Sequence, residues 1–233
     1  MISIVIFAAG RGTRLGASVP KFLVEVDRRP IFMHQLDALR GIAGEIYVVC
    51  GYRAAILVQL MLSDIPSDHA CRKRLTFIHN DDFEGPQSGS ICRALTAIPS
   101  NRPALFIDGD MLFQTKTVND LISLNQTTVA LREIPSKDGV MAKIDDNQRL
   151  RKFARNTEGA GEWANLAFYE AQHLPLMLEL AASEKTQHHF DLLNQMVDRG
   201  IEIQTAFATF AEVDDVEDLH AAGAFVREHG NGK

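Results

Sequence analysis

The chain of 233 residues has only three cysteines, one tryptophan, no excess of positive charge and no long apolar run. Each shortage removes a class of function. Cys50, Cys71 and Cys92 share no C-x-x-C spacing, and their odd number argues against a disulfide framework, so a reducing cytoplasmic setting is expected. Twenty-four Lys and Arg stand against thirty Asp and Glu, a net charge of −6, and a nucleic-acid-binding face is not expected without a local basic stripe. The nearest approach to one, Arg149 to Arg155, is short and interleaved with apolar residues. No stretch nears the length of a membrane span, so no membrane insertion is expected. The N-terminal apolar run lacks the basic region and cleavage site of a signal peptide. There is no internal repeat. What is abundant is apolar residue, 46% of the chain, ample for the core of one α/β unit or two small domains.

The apolar runs alternate with amphipathic ones. Strand patterns cover Ile2–Ala8, Ile46–Cys50, Leu75–Ile78, Ala104–Ile107 and Thr128–Arg132. Helical patterns lie between them at Ile31–Leu39, Ala54–Leu62, Ser90–Ala97 and Thr117–Leu124. Short apolar strands separated by helices predict a mostly parallel sheet covered on both faces, with ligands at the C-terminal strand ends. After about Arg132 the pattern changes. Val140–Ile144 and Arg149–Phe153 flank Asp145-Asp146-Asn147 as a hairpin, Trp163–Tyr169 is a strand, Gln187–Arg199 a helix and Ile203–Phe210 a last strand. We expect a single domain over 1–233, with a nucleotide-binding half (1–131) and a smaller acceptor-binding lobe (132–233) that returns to the sheet. A second substrate is expected to enter between the halves.

Four stretches carry candidate chemistry. The first, Phe7 to Lys21, follows the first strand and reads F-A-A-G-R-G-T-R-L-G-A-S-V-P-K. Small residues let backbone N–H groups approach a ligand, and Arg14 and Lys21 add charge for phosphate oxygens. Its G-x-G-x-x-x-G spacing is neither the dinucleotide fingerprint nor the P-loop, since Lys21 follows Pro20 and precedes Phe22. A plain strand-to-helix turn is the bland alternative.

The second stretch, Asn80 to Leu95, holds Gln87-Ser88-Gly89-Ser90. Ser88 or Ser90 could cap the next helix, and Gln87 could donate and accept along a pyrimidine edge. The third ends a strand in Asp108-Gly109-Asp110, a pair suited to a hard cation or, equally, a surface turn. The fourth, Ala211 to Leu219, has Asp215 as a helix N-cap with Asp218 at the capping-box position, which leaves Asp214 on the strand side.

The first stretch resembles the signature of nucleotidyltransferases of the GT-A-like, Rossmann-like α/β fold, L-A-A-G-x-G-[ST]-R-L…P-K-x-L, with Phe7 in place of Leu. The likeness continues through Phe22-Leu23-Val24-Glu25-Val26 and Arg29-Pro30-Ile31. It implies that backbone at Ala8, Ala9, Gly10, Arg11, Gly12 and Thr13 cups the base and ribose of a nucleoside triphosphate. Arg14 and Lys21 would act on its phosphates. It further implies that Gln87, Ser88 and Gly89 meet the base, with Asp108 near the nucleotide, and that Asp110 and Asp214 hold Mg²⁺. The reaction expected from it is in-line attack by an already ionised phosphate on the α-phosphorus, with release of pyrophosphate.

The acceptor half departs from sugar-1-phosphate enzymes of that fold. Lys152-Phe153-Ala154-Arg155-Asn156 stands where E-K-P is usual, and Asn165 stands at a usual glycine. The short chain, D-G-D-M-L-F and E-V-D-D-V-E-D-L resemble phosphocholine cytidylyltransferases and related small enzymes of surface-glycan pathways. Arg155, Glu162, Trp163, Asn165 and Asp191 are the candidate acceptor residues, the lone Trp163 being available for a quaternary ammonium. His188 and His189 are adjacent and point apart on a helix, so they are not read as a metal site. Three readings stay open. One is CTP-dependent transfer to an alcohol phosphate, another is transfer to a sugar 1-phosphate, and the last is a non-catalytic nucleotide-binding domain. Homo-oligomerisation is also left open.

Overall fold

The computed structural model describes residues 1–16, 19–133 and 139–229. Ala17 and Ser18 of the Gly-rich stretch fall outside the described residues. The first apolar run forms β1 (Ile2–Ala8). Two short strands, β2 (Glu25–Val26) and β3 (Arg29–Pro30), pair and lead into α1 (Ile31–Ala38). Then come β4 (Gly44–Cys50), α2 (Ala54–Asp64), β5 (Leu75–His79), α3 (Gln87–Ala97), β6 (Ala104–Asp108), β7 (Met111–Phe113) and α4 (Thr115–Ser123). The second half holds β8 (Thr128–Arg132), β9 (Met141–Ile144), β10 (Leu150–Ala154), β11 (Gly161–Tyr169), α5 (Leu174–Ala181) and α6 (His189–Asp198). It ends with β12 (Gln204–Phe207), β13 (Phe210–Glu212) and α7 (Val216–His229).

One sheet of nine strands spans both halves in the order β10-β9-β11-β6-β1-β4-β5, with β8 beside β11 and β12 beside β8. The strands β6, β1, β4 and β5 run parallel, as crossover helices require. β11 enters antiparallel to β6, β8 and β9, so the sheet is mixed. β1 lies inside it, and successive side chains alternate faces. Ile4 and Ile6 join a core with Phe32, Leu36 and Leu57, while Val5 joins a second core with Ile91, Phe106 and Leu192. These side chains are fully buried, and Leu36→Ala should cost about 2–5 kcal/mol.

Two expectations need correction, and one helix had no counterpart in the sequence pattern. The last strand is not continuous: Ala208 and Thr209 interrupt it, β12 stays in the large sheet, and β13 leaves to pair with β7. The α3 helix begins earlier than its apolar pattern, with Pro86 as N-cap, so Ser88 and Ser90 lie inside it and neither caps it. The helix α5, with Pro175 in its first turn, was absent from the periodic reading because its run L-P-L-M-L-E-L-A is apolar on nearly every side. By contrast Asp215 and Asp218 form the anticipated capping box at α7. Asp215 Oδ1 accepts from Glu217 N and Asp218 N, and Asp218 Oδ2 accepts from Asp214 N and Asp215 N.

Candidate active site

The C-terminal end of β1 opens into the Gly-rich loop, and two features hold that loop to Lys21. Gly12 sits at φ 64°, and a Cβ there would meet Lys21 Cβ at 2.8 Å. Both the left-handed conformation and the close approach require glycine. Arg11 turns outward, pairing with Glu84 and covering the rings of Tyr52 and Phe83 at 5.3 and 5.7 Å. Thr13 and Arg14 follow in a single helical turn, Thr13–Leu15.

The D-G-D turn after β6 is set by three contacts. Gly109 N donates to Phe7 O at 2.9 Å, and a Cβ on Gly109 would lie 2.8 Å from that oxygen, so only glycine fits between the two acids. The buried Gln35 amide on α1 donates to Asp108 O at 2.9 Å and Met111 O at 2.8 Å. The pairing of β13 with β7 then brings Val213 N to Asp110 O at 3.0 Å. That small sheet is the device that carries Asp214 to Asp110.

The two carboxylates close on one ammonium. Lys21 Nζ donates to Asp110 Oδ2 at 2.7 Å and to Asp214 Oδ1 at 2.6 Å, and Arg14 approaches Asp214 Oδ1 at 3.2 Å. Burial works against the Lys21 charge, but Asp110 and Asp214 outweigh it and raise its pKa. Burial likewise works against the Asp214 anion, and Lys21 and Arg14 more than offset it, so its pKa is lowered. Asp108 is pushed well above the usual carboxylate range, first by burial and then by Asp110 and Glu212. Glu212 is raised to about 7 by burial and by Asp110, with Arg132 opposing.

Two cavities meet at this cluster. One, of about 380 Å³, is lined by Ala8, Ala9, Gly10, Lys21, Phe83 and Ser90, among others. The other, of about 600 Å³, is lined by Arg14, Arg155, Glu162, Trp163, Asn165, Glu212 and Asp214, among others. Gln87, Asp108, Asp110 and His188 border both. Ala8, Ala9 and Gly10 of the expected nucleotide loop therefore lie on one side of Asp108 and Asp110, and Arg155, Glu162, Trp163 and Asn165 of the expected acceptor set on the other, while Arg11, Gly12 and Thr13 line neither cavity.

The remaining candidates are placed as follows. Gln87 does not present a free amide: Oε1 accepts from His189 N at 3.0 Å and Nε2 donates to Asp108 Oδ2 at 3.3 Å. Ser88 is buried and, like Gly89, lies off the cavity lining, where Ser90 stands instead. Asp191 is occupied as a cap, accepting from His188 N at 2.9 Å and Gln187 N at 3.2 Å, and is not part of either cavity wall. Glu162 is held by Arg132, whose Nε donates to it at 3.1 Å. Asn165 adopts φ 50° inside β11 and donates to Glu212 Oε1 at 3.2 Å; asparagine is among the few residues that tolerate this glycine-like conformation. Arg155 lies over the Phe190 ring at 5.4 Å. Trp163 is buried against Phe153 and His189.

Two site residues escaped the sequence reading. Glu212 stands two positions before Asp214, so strand alternation alone would have put both on one face. His188 borders both cavities, while its neighbour His189 is buried with Nε2 2.6 Å from the Tyr169 hydroxyl.

The donor set fits a divalent cation. Asp110 and Asp214 already share one positive group, and Asp110 Oδ1 is buried with no hydrogen-bond partner. Among the described residues no three His, Cys, Asp or Glu side chains gather with metal-holding geometry. Mg²⁺ is commonly held by one or two carboxylates with substrate phosphates completing the shell, so the pair is a sufficient protein contribution.

Comparison with known proteins bears on the fold and the family. The bifunctional protein GlmU of Sulfurovum sp. (strain NBC37-1) is 23% identical over 233 residues, covering 94% of this chain and 51% of that protein. The chain thus spans about half the length of that curated relative. The inositol-1-phosphate CTP transferase from T. maritima superposes with a TM-score of 0.80 at 16% identity, covering 98% and 97% of the two chains. The CTP:phosphocholine cytidylyltransferase from Streptococcus pneumoniae superposes at 0.74 with 18% identity, covering 97% and 99%. These superpositions establish a shared fold. Residues 4–198 match the MobA-like NTP transferase domain, and the chain belongs to that family.

Proposed function

We propose that this protein transfers a nucleotidyl group from a nucleoside triphosphate, with CTP favoured, to a phosphorylated small alcohol of the phosphocholine kind. The observation that carries the reading is the Lys21 ammonium held by Asp110 and Asp214 where the two cavities meet. A cation there lies between a bound triphosphate and an incoming phosphate, and offsets the charge of two polyanions as they approach.

In the proposed reaction, an oxygen of the acceptor phosphate, already ionised at neutral pH, forms a bond to the α-phosphorus. The bond from that phosphorus to the bridging oxygen breaks, and pyrophosphate leaves. No general base is needed. Lys21 neutralises charge at the α-phosphate, and Arg14, exposed at the mouth, neutralises charge on the β/γ end. The loop from Ala8 to Thr13 orients the nucleotide. Asp110 and Asp214 are the residues that would hold Mg²⁺, which supplies Lewis-acid charge at the phosphoryl oxygens.

The acceptor preference rests on the lining of the larger cavity. Among the described residues its lining carries eight acidic side chains, from Asp108 to Asp218, against the guanidinium groups of Arg14 and Arg155; burial favours the neutral form of Asp108, and the rest keep the wall acidic. An acceptor with a cationic head suits that wall better than a neutral sugar, and Trp163 and Phe190 add aromatic surface for an ammonium. Two proteins of similar fold are named as CTP transferases acting on alcohol phosphates.

The test is pyrophosphate release with CTP, UTP, dTTP, GTP and ATP, each against phosphocholine, phosphoethanolamine and a set of sugar 1-phosphates. CTP with an amino-alcohol phosphate should give the highest kcat/KM. Turnover confined to sugar 1-phosphates would replace the acceptor. Tight nucleotide binding without pyrophosphate from any pair would leave a non-catalytic binding domain.

A further inference from the structure

We propose that the open edge of β5 is a twofold interface, joining two copies of this chain through antiparallel β5–β5 pairing. β5 ends the nine-stranded sheet: it pairs with β4 on one side, and among the described residues no strand pairs with its other side. An edge strand presents a row of unpaired N–H and C=O groups, a template for another strand. Asn80 N donates inward to Cys50 O at 2.8 Å. By the alternation of a strand, Thr76 and Ile78 also turn their backbone toward β4, while Leu75, Phe77 and His79 turn theirs outward.

That alternation selects a register. A twofold axis at Phe77 pairs Leu75 of one copy with His79 of the other. All three outward residues then exchange hydrogen bonds, and antiparallel pairing becomes self-complementary.

Charge supports a second copy of this chain as the occupant. The turn before β5 is Arg72-Lys73-Arg74, and the loop after it carries Asp81, Asp82 and Glu84. Antiparallel pairing about Phe77 sets the basic turn of each copy beside the acidic loop of the other, with Lys73 facing Asp81. Parallel pairing would oppose like charges. Lys73, Asp81 and Asp82 are all exposed. The helix that leads into this strand also carries exposed apolar side chains. Of the seven large apolar side chains exposed among the described residues, Ile56, Leu60 and Leu62 lie on α2, the crossover helix between β4 and β5.

Sedimentation equilibrium tests the proposal, with circular dichroism to verify that each variant is folded. The wild-type chain should form a dimer. Lys73→Glu and Asp81→Lys should each weaken association by about ten-fold, the scale of two symmetry-related like-charge pairs across a strand junction. The double variant should restore it. His79→Pro, which removes an outward N–H and leaves the pairing with β4 intact, should also weaken it. A wild-type monomer at every concentration overturns the proposal, as does a dimer indifferent to these substitutions. Failure of the charge swap to restore association overturns the antiparallel register.

Discussion

Asp110 and Asp214, separated by nearly half the chain, close on the same ammonium, so their carboxylate oxygens can lie no farther apart than the two short hydrogen bonds from Lys21 allow. Neither reaches the other through its own element. The β7–β13 pairing brings them together, and the capping box of α7 fixes the backbone of Asp214. The first prediction follows from that joint hold.

Lys21→Ala should lower kcat by about 10² to 10³, the scale of losing one preorganised charge donor, with a smaller rise in KM. Steady-state pyrophosphate release measures it. A near-normal kcat would remove Lys21 from the reaction. The variant also leaves Asp214 with only Arg14 beside it, so its lowered pKa should rise toward the ordinary range.

Gln87 tests the difference between a base reader and a brace. Its amide joins the start of α3, the end of β6 and the start of α6. Gln87→Leu should destabilise the fold by about 1–3 kcal/mol, because His189 N–H loses its buried acceptor. Urea unfolding would show the loss. If Gln87 instead selected the base, the variant would alter the ranking of triphosphates while stability stayed constant.

Glycines of the first loop should differ sharply. Gly12→Ala places a methyl against Lys21 in a left-handed backbone, and its activity should fall at least as far as that of Lys21→Ala. At Gly10 a Cβ would meet nothing within 4 Å, so Gly10→Ala should leave the fold unstrained. Comparing both variants by thermal melting and by turnover separates strain from contact with the nucleotide.

Stability should decline in mild acid through His189. Burial lowers its pKa to about 3 from an ordinary 6.5. The unfolded chain binds this proton at higher pH than the folded one. The stabilisation is therefore whole above about pH 6.5 and shrinks as pH falls toward 3, by roughly a few kcal/mol across the window. His189→Gln can keep a partner for Tyr169 and does not titrate. Urea midpoints at pH 7 and pH 4.5 should fall less in this variant than in wild type. Equal falls would show that the imidazole gains a proton without unfolding.

The parts of the site that were legible in the sequence are those where one residue type has one physical use. Small residues after an apolar strand and two cations past the turn single out Arg14 and Lys21, whereas Asp110 and Asp214 stand out from a surface turn and a helix cap only through the resemblance to nucleotidyltransferases. The parallel strands were equally plain, since each is a short apolar run bounded by turn residues. What stayed hidden depends on pairings between distant segments. β7 and β13 are three residues each, too short for a period to register, and each is a strand only because the other exists. The hydrogen bonds of Gln87 stayed hidden for a similar reason: an amide that can serve a base edge serves a helix start and a carboxylate equally well, and the partner decides. The apolar run of α5 hides its period, because Leu176 and Leu178 are apolar yet only half-buried, while the buried face is Leu174, Met177, Leu180 and Ala181.

The kink at Asn165 has a mechanical consequence. β11 runs from β9, in the second half of the chain, to β6, in the first, and its register shifts where Asn165 takes its left-handed turn. A strand shared in this way is a beam, and the two halves cannot part like a clamshell without breaking its rungs. Whatever movement admits and releases ligands must come from the loops over the cleft, while the floor that carries Asp108, Asp110 and Asn165 stays stiff.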